Sequence, residues 1–422
     1  MIDRREFLKQ TPALISLLAT IPALAQMQKS KSIVLRSSWQ TVNIGDIGHT
    51  PGVLRLLEQY LPDVEVRLWP SSVDNGVERL LRSRFPKVSI IDSAEKIKAA
   101  IKECDFFLHG SGPSLVGRNQ MEQWYKETGK PFGVYGITFP GIYSQDPNVA
   151  VKPEPLDTEL LNKARFALFR DSVSLKLAKD SEVKCPVMEF CPDGAFAVDV
   201  RNDAKAIEFL KTHGLEEGKF MCVIPRQRFT PYWEIAGKNT PFNQVKDNRN
   251  KAMREHDNKP LRDAIIAVTR ETGLKILICP EDETQVKLGK EILFDKLPAD
   301  VQAKVVWRDR YWLTDEAVST YIRSAGLFGL EMHSPIMCIG NGIPAVVGRF
   351  FEQTSKGFMW QDIGLRDWLF NMDNEDDITR FAPTVLWIAK NPKQAREKAN
   401  AAKAFVEKRQ RQTMELIKDS LS

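Results

Sequence analysis

The stretch Gly329-Leu330-Glu331-Met332-His333-Ser334-Pro335-Ile336, closed by Gly342-Ile343-Pro344-Ala345-Val346-Val347, sets an imidazole where a strand gives way to a helix. The spacing predicts a strand end, a helix from Pro335 to Ile339, a turn at Gly340-Asn341-Gly342 and a buried strand from Ile343 to Val347. A histidine at the carboxyl end of a parallel strand faces the crevice in which open α/β sheets bind ligands. His333 could there move a proton near neutral pH or donate to a developing oxyanion. The alternative is a histidine that satisfies a backbone carbonyl at a helix start. Glu331 lies two residues away, on the same face if the strand continues. A carboxylate beside an imidazole suits acid/base work on carbohydrate; the alternative is a solvated glutamate beside a structural histidine.

Glycine loops add candidate ligand contacts. Asn43-Ile44-Gly45-Asp46-Ile47-Gly48-His49 follows a first apolar strand and precedes a helix. Glycines at such a turn let a ligand approach backbone N–H groups at the positive helix terminus, which favours an anion or a cluster of sugar hydroxyls. The spacing is neither a Walker nor a dinucleotide fingerprint, and a plain turn capped by Asp46 is the alternative. His109-Gly110-Ser111-Gly112-Pro113-Ser114 is a second such loop, and Gly136-Ile137-Thr138-Phe139-Pro140-Gly141 a third. Arg228-Phe229-Thr230-Pro231-Tyr232-Trp233-Glu234 and Arg308-Asp309-Arg310-Tyr311-Trp312 mix aromatics with cations. Aromatic faces stack on sugar rings and arginines meet acidic groups, so an anionic polysaccharide would fit; core packing would also explain the aromatics. Arg254-Glu255-His256-Asp257 reads as a solvated surface run.

The elements that must hold these residues alternate between strands and helices, which argues for parallel sheets covered by helices. In the first half the strands are residues 32–36, 64–69, 105–109, 132–136 and 166–170, with helices over 51–60 and 120–128. The pattern restarts with strands at 220–224, 274–279, 305–307, 327–330 and 343–347, and with an amphipathic helix over 261–272. The fold class is therefore α/β, with two Rossmann-like, doubly wound domains facing a cleft, the architecture of the GT-B glycosyltransferases. The domains are expected at 26–205 and 206–360. A C-terminal helical segment over 361–422 follows, charged and helix-favouring from Lys393 to Leu421 with a thin apolar stripe at Ala399, Ala402, Val406 and Ile417.

The 422 residues make two domains the natural reading. With 43% hydrophobic residues, 27% charged residues and a net charge of +5, the chain is ordinary for a soluble protein, and no basic block flanked by aromatics suggests nucleic acid. Asp3-Arg4-Arg5-Glu6-Phe7-Leu8-Lys9, an apolar run from Pro12 to Leu24 and Ala23-Leu24-Ala25 resemble a bacterial twin-arginine export signal cleaved after Ala25. Residues 1–25 are thus expected to direct a folded protein to the periplasm or beyond. No later run approaches a membrane span. Cys185 and Cys191 could pair in an oxidising compartment. The other four cysteines sit in apolar runs, and no Cys/His spacing marks a metal site, so no metal and no cofactor are expected.

The chain resembles the polysaccharide pyruvyl transferases. The resemblance rests on the Asn-x-Gly-Asp loop, the glycine loop near residue 110, Phe169-Arg170-Asp171-Ser172-Val173-Ser174, Cys191-Pro192-Asp193-Gly194-Ala195-Phe196 and the late His-x-x-Ile segment before Gly-x-Pro, in that order over about residues 32–350. It implies transfer of a pyruvyl group from phosphoenolpyruvate to sugar hydroxyls, giving a ketal, which requires cations for the donor and an acid for the enol carbon. By resemblance His333 is that acid or a phosphate partner, Arg226 and its neighbour Arg228 bind the donor, and Asn43, Gly45, Asp46, Gly110, Ser111, Gly112, Arg170 and Asp171 belong to the ligand loops. One position departs: Glu331-Met332-His333 stands where the family usually has Arg-Leu-His. A like-charge contact near ~4 Å at an effective dielectric of ~20 costs about 4 kcal/mol, so another arginine (226, 228 or 323) must compensate if phosphoenolpyruvate is the donor. The alternatives are an exported carbohydrate-active enzyme using Glu331 and His333 without that donor, for ketal removal or glycan cleavage, and a non-catalytic glycan-binding module.

Overall fold

The computed structural model describes residues 30–139 and 153–421; the stretch expected to act as an export signal and part of the third glycine loop lie outside them. The first seven strands are β1 Ser32–Arg36, β2 Glu65–Leu68, β3 Ser89–Ile90, β4 Phe106–His109, β5 Phe132–Ile137, β6 Ala167–Phe169 and β7 Met188–Phe190. They form one sheet in the order β3-β2-β1-β4-β5-β6-β7. The next six are β8 Phe220–Ile224, β9 Lys275–Ile278, β10 Val305–Trp307, β11 Gly326–Gly329, β12 Ala345–Arg349 and β13 Leu369–Asn371, in the order β10-β9-β8-β11-β12-β13. Every pairing within the two sheets is parallel. The central strands are buried along their whole length, which is why they read as unbroken apolar runs.

In each sheet the winding direction reverses between two central strands, β1 and β4 in the first, β8 and β11 in the second. Ligands of open α/β sheets bind outside the carboxyl ends at such a switch point. The segments leaving β1, β8, β9 and β11 meet in one cleft. Helix α1 (Ile44–Tyr60) leaves β1 with its amino end in that cleft. Its cap is Asn43, whose Oδ1 accepts from the N–H groups of Gly45 and Asp46, so the expectation of Asp46 as cap gives way and its carboxylate is released to the cleft. The Ile44 N–H donates across the cleft to the Glu281 carbonyl at 2.9 Å.

Helix α2 spans Gln244–Glu271, longer than its amphipathic C-terminal part announced. Helix α3 runs His333–Gly340, beginning at the histidine rather than at Pro335. Two backbones approach closely to seat these helices. A Cβ on Gly52 would lie 1.9 Å from the Gly194 carbonyl oxygen, and one on Gly340 would lie 1.9 Å from that of Phe196. The short 3-10 helix Gly194–Ala197 therefore wedges between α1 and α3.

After β13 come helices α4 (Glu375–Lys390) and α5 (Pro392–Ser420). The last returns to the first sheet. Arg409 donates to the Phe190 carbonyl of β7 and pairs with Glu189, while Gln410 lies against the Asp193 carbonyl. Its stripe of Ala399, Ala402, Val406 and Ile417 is buried. Cys185 and Cys191 are both free thiols: the first faces the carbonyls of Ala164 and Val187, the second that of Pro192 and the Thr413 hydroxyl. The pairing considered from sequence is absent.

Candidate functional site

The cleft is about 390 Å³ and is lined by Arg36, Asn43, Asp46, Arg226, Tyr232, Glu281, Glu331, His333 and Lys356 among others. His333 stands in the first turn of α3 and only 5% of its surface is exposed. Its Nδ1 lies 3.3 Å from Glu281 Oε1. Glu281 Oε2 accepts from both the backbone N–H and the hydroxyl of Ser334 at 2.7 Å, so this carboxylate also caps α3. Burial, then the nearby Lys356, hold the His333 imidazole well below its ordinary range. Glycine at 45 is required here, since a Cβ would lie 2.4 Å from His333 Nδ1.

Glu331 does not share a strand face with His333, because β11 ends at Gly329 and the chain turns between them. Its carboxylate is paired with the Arg226 guanidinium and accepts from Gln285 Nε2 at 2.6 Å. Burial raises its pKa, with Arg226 opposing. The carboxylate beside the imidazole is Glu281, which leaves the strand β9 through Cys279-Pro280. The Glu331–His333 pair expected from spacing is replaced by two separate pairs, Glu331 with Arg226 and Glu281 with His333.

The two expected donor arginines part company. Arg226 lines the cleft; Arg228 is 1% exposed and points into a carboxylate cluster. Its Nε and Nη2 reach Asp257 at 2.8 and 2.9 Å, and its Nη1 reaches Asp373 and Glu352 at 2.5 and 3.1 Å. Asp257, read as part of a solvated run, is thus a buried counter-ion. Arg323 bonds Asp203 and the Ser319 carbonyl, outside the cleft lining. Two other cations enter instead. Arg36, at the end of β1, donates to the Trp69 carbonyl and the Ser71 hydroxyl at 3.0 and 2.8 Å while its Nε has no partner. Lys356 comes from the irregular segment after β12; desolvation and then Arg226 push its ammonium down to about 8.

The first-half loop residues mostly build the floor. Arg170 is fully buried, bonding Asp193 Oδ2 and Thr138 Oγ1 at 2.8 and 2.7 Å. Asp171 caps the following helix by accepting from Ser174. Ser111 Oγ accepts from the Gly194 N–H at 2.7 Å, and Gly110 and Gly112 pack against Ser37 and Ser38. None of Gly110, Ser111, Gly112, Arg170 and Asp171 lines the cleft, whereas Pro113 and Val116 of the next turn do. Asp193 Oδ1 also holds His49 Nδ1 at 2.9 Å. Burial pushes the Asp193 carboxyl up, but His49 and Arg170 outweigh it and hold the group well below the usual range. The rings of His49 and His333 meet edge to face with centroids 4.7 Å apart. Of the aromatic loops, Tyr232 lines the cleft, while Trp312 donates to the Pro280 carbonyl in the core and Arg308 pairs with buried Glu316.

A model of the polysaccharide pyruvyl transferase family matches residues 43–347, more than two thirds of the chain. The chain belongs to the polysaccharide pyruvyl transferase family. No curated protein sequence matches this family member. Its fold is shared with solved structures at low identity. Anabaena HepE with UDP-glucose aligns at TM-score 0.58 and 11% identity, over 92% of this chain and 99% of that one. S. aureus MnaA with UDP aligns at 0.53 and 11%, over 89% and 95%. The UDP-GlcNAc 2-epimerase of Methanocaldococcus jannaschii aligns at 0.53 and 14%, over 84% and 92%. The two-domain Rossmann-like architecture expected from the element pattern is thereby established for this pyruvyl transferase family member.

Four groups of the site went unassigned in the sequence. Arg36 was marked by a cation closing an apolar run, and Glu281 by an acid just past one. His49 sat inside a motif already noticed. Lys356 had no local signal, because an irregular segment brings it in.

Proposed function

We propose that this protein transfers a pyruvyl group to hydroxyls of a carbohydrate in the cleft between the two domains, with phosphoenolpyruvate as the donor. The observation that carries the reading is the entry of Lys356 and Arg36 into the cleft that holds His333, where Glu331 pairs with Arg226. Arg226 is engaged by Glu331 and so contributes less free charge. The phosphate and carboxylate of the donor would rely on the positive charge of Lys356 and Arg36, which both line the cleft. The Asp46 and Tyr232 side of the cleft would receive the sugar, Tyr232 offering a ring face. One sugar hydroxyl adds to the enol carbon bearing the phosphate, a proton reaches the methylene carbon, and phosphate leaves as the second hydroxyl closes the ketal. His333, fixed by Glu281, is the group nearest this chemistry. The amino-terminal sequence supports export, so the acceptor would be an envelope or extracellular polysaccharide.

Calorimetric titration of phosphoenolpyruvate into the protein and into Lys356→Met tests the reading. Saturable binding, weakened about tenfold or more in the variant, is expected from loss of one charge-assisted contact of about 1.5–3 kcal/mol. Absence of binding to the unmodified protein would overturn it. The neutralised Arg226 then favours the second reading, removal of a ketal from glycan, seen as pyruvate released without a donor.

A further inference from the structure

His49 and His333 come from different domains yet share an unusual arrangement. Each spends its Nδ1 on a buried carboxylate, Asp193 for His49 at 2.9 Å and Glu281 for His333 at 3.3 Å. In the neutral ring an Nδ1–H donated to a carboxylate leaves a bare lone pair on Nε2. Both Nε2 atoms are buried without a hydrogen-bond partner, a costly state for a polar atom. Edge-to-face packing of the two rings does not account for this, because a lone pair gains nothing from a ring face. Asp46 sits one helical turn before His49 on α1. Its carboxylate has no hydrogen-bond or ion-pair partner among the described residues. One ligand atom from each of Asp46, His49 and His333 lies within 4.8 Å of the others.

We propose that Asp46, His49 and His333 form a binding site for a divalent transition cation of the zinc type. Two imidazoles and one carboxylate match that class in ligand type, and they leave coordination positions open to the cleft. Asp193 and Glu281 serve as the outer carboxylates that orient metal-bound imidazoles. Ligands about 2.0–2.1 Å from a tetrahedral ion lie roughly 3.4 Å apart, so the three groups must close by about an ångström. The half-exposed Asp46 side chain is free to make that movement. The site rests on the transfer reading only for its purpose: a cation here would return positive charge to a cleft in which Glu331 occupies Arg226. Its existence is measured without any donor or sugar.

The test is titration of Zn2+ into the chelator-treated full chain by calorimetry, with Co2+ absorption as a second measurement. One equivalent per chain is expected, with visible d–d bands from cobalt and no sulfur-to-metal band. Asp46→Asn and His49→Gln should each weaken binding at least tenfold, and Glu281→Gln by about 10–100-fold. No saturable binding, affinity unchanged in Asp46→Asn, or a sulfur-to-cobalt band showing capture by cysteine would each overturn the site. If His49→Gln does not fold, the partly exposed Asp46 variant and the cobalt spectrum of the unmodified chain still decide. Phosphoenolpyruvate binding in the absence of any zinc binding would sink the cation site and leave the transfer reading standing.

Discussion

At the scale of single residues, the acid at position 331 is matched locally. Glu331 is matched by Arg226 and by Gln285, so the acid is a paired group rather than an open repulsive one. Breaking a buried pair from one side costs more than the pair is worth, because the partner stays behind unpaired. Glu331→Gln should lower stability by about 3 kcal/mol, the low end for such a loss since Arg226 keeps a hydrogen bond. The freed guanidinium should make the variant's Tm respond more strongly to added phosphoenolpyruvate. A variant as stable as the parent would show the pair to be unimportant.

His109 offers a cleaner pH prediction. Its Nδ1–H donates to the Gly110 carbonyl at 2.7 Å, and its Nε2 accepts from the Gly117 N–H at 3.0 Å. A proton on Nε2 would break the second bond, and burial pushes the imidazole down to about 4. The unfolded chain binds that proton near pH ~6.5, so the contribution is present above that pH and is lost as pH falls toward about 4. The loss amounts to about 3 kcal/mol. Denaturant unfolding across this range should show a shallower acid limb in His109→Gln than in the parent; identical slopes would refute the assignment.

Among the elements, the wedge Gly194–Ala197 decides how α1 and α3 sit. Both helices approach it through a glycine, and at Gly340 the obstruction to any side chain is the Phe196 backbone. Backbone cannot rotate out of the way as a side-chain tip can. Gly340→Ala should therefore cost about 3 kcal/mol or more, and α3 should move enough to disturb His333. A circular-dichroism melt reads the first effect. A melt within a degree of the parent would mean that the wedge yields. Gly52 makes the matching contact on α1, so the site geometry depends on two helices braced against one short turn.

For the whole molecule, the two sheets share apolar packing on one side, while a separate cluster with Val34, Phe107 and Trp124 belongs to the first sheet alone. One continuous apolar core includes Ile33 and Leu35 of β1, Phe196 of the wedge, Val223 of β8, Ile336 of α3 and Val406 of α5. Helix α5 closes it by crossing from the second half back to β7. Halves joined through a shared core lose it together. Calorimetry should give a single unfolding transition, and two resolved transitions would contradict this coupling.

The sequence by itself determined the sheets. Strands buried on both faces must be continuous apolar runs, so β1 and β8 were legible to the residue. Short or half-exposed strands such as β3, β7 and β13 were not, since two or three residues carry no period. His333, Arg226 and Asp46 were legible as residues of the cleft because each follows a strand end or opens a helix, where side chains face the crevice. Partnership was not legible. Whether Glu331 meets His333 or Arg226, whether Arg228 faces the cleft or Asp257, and whether Lys356 arrives at all depend on turns and on the approach of two domains. Sequence spacing governs which side chains share an element. Only the packing of elements separated by hundreds of residues decides which charges become neighbours, and here that packing brings His49 of the first half against His333 of the second.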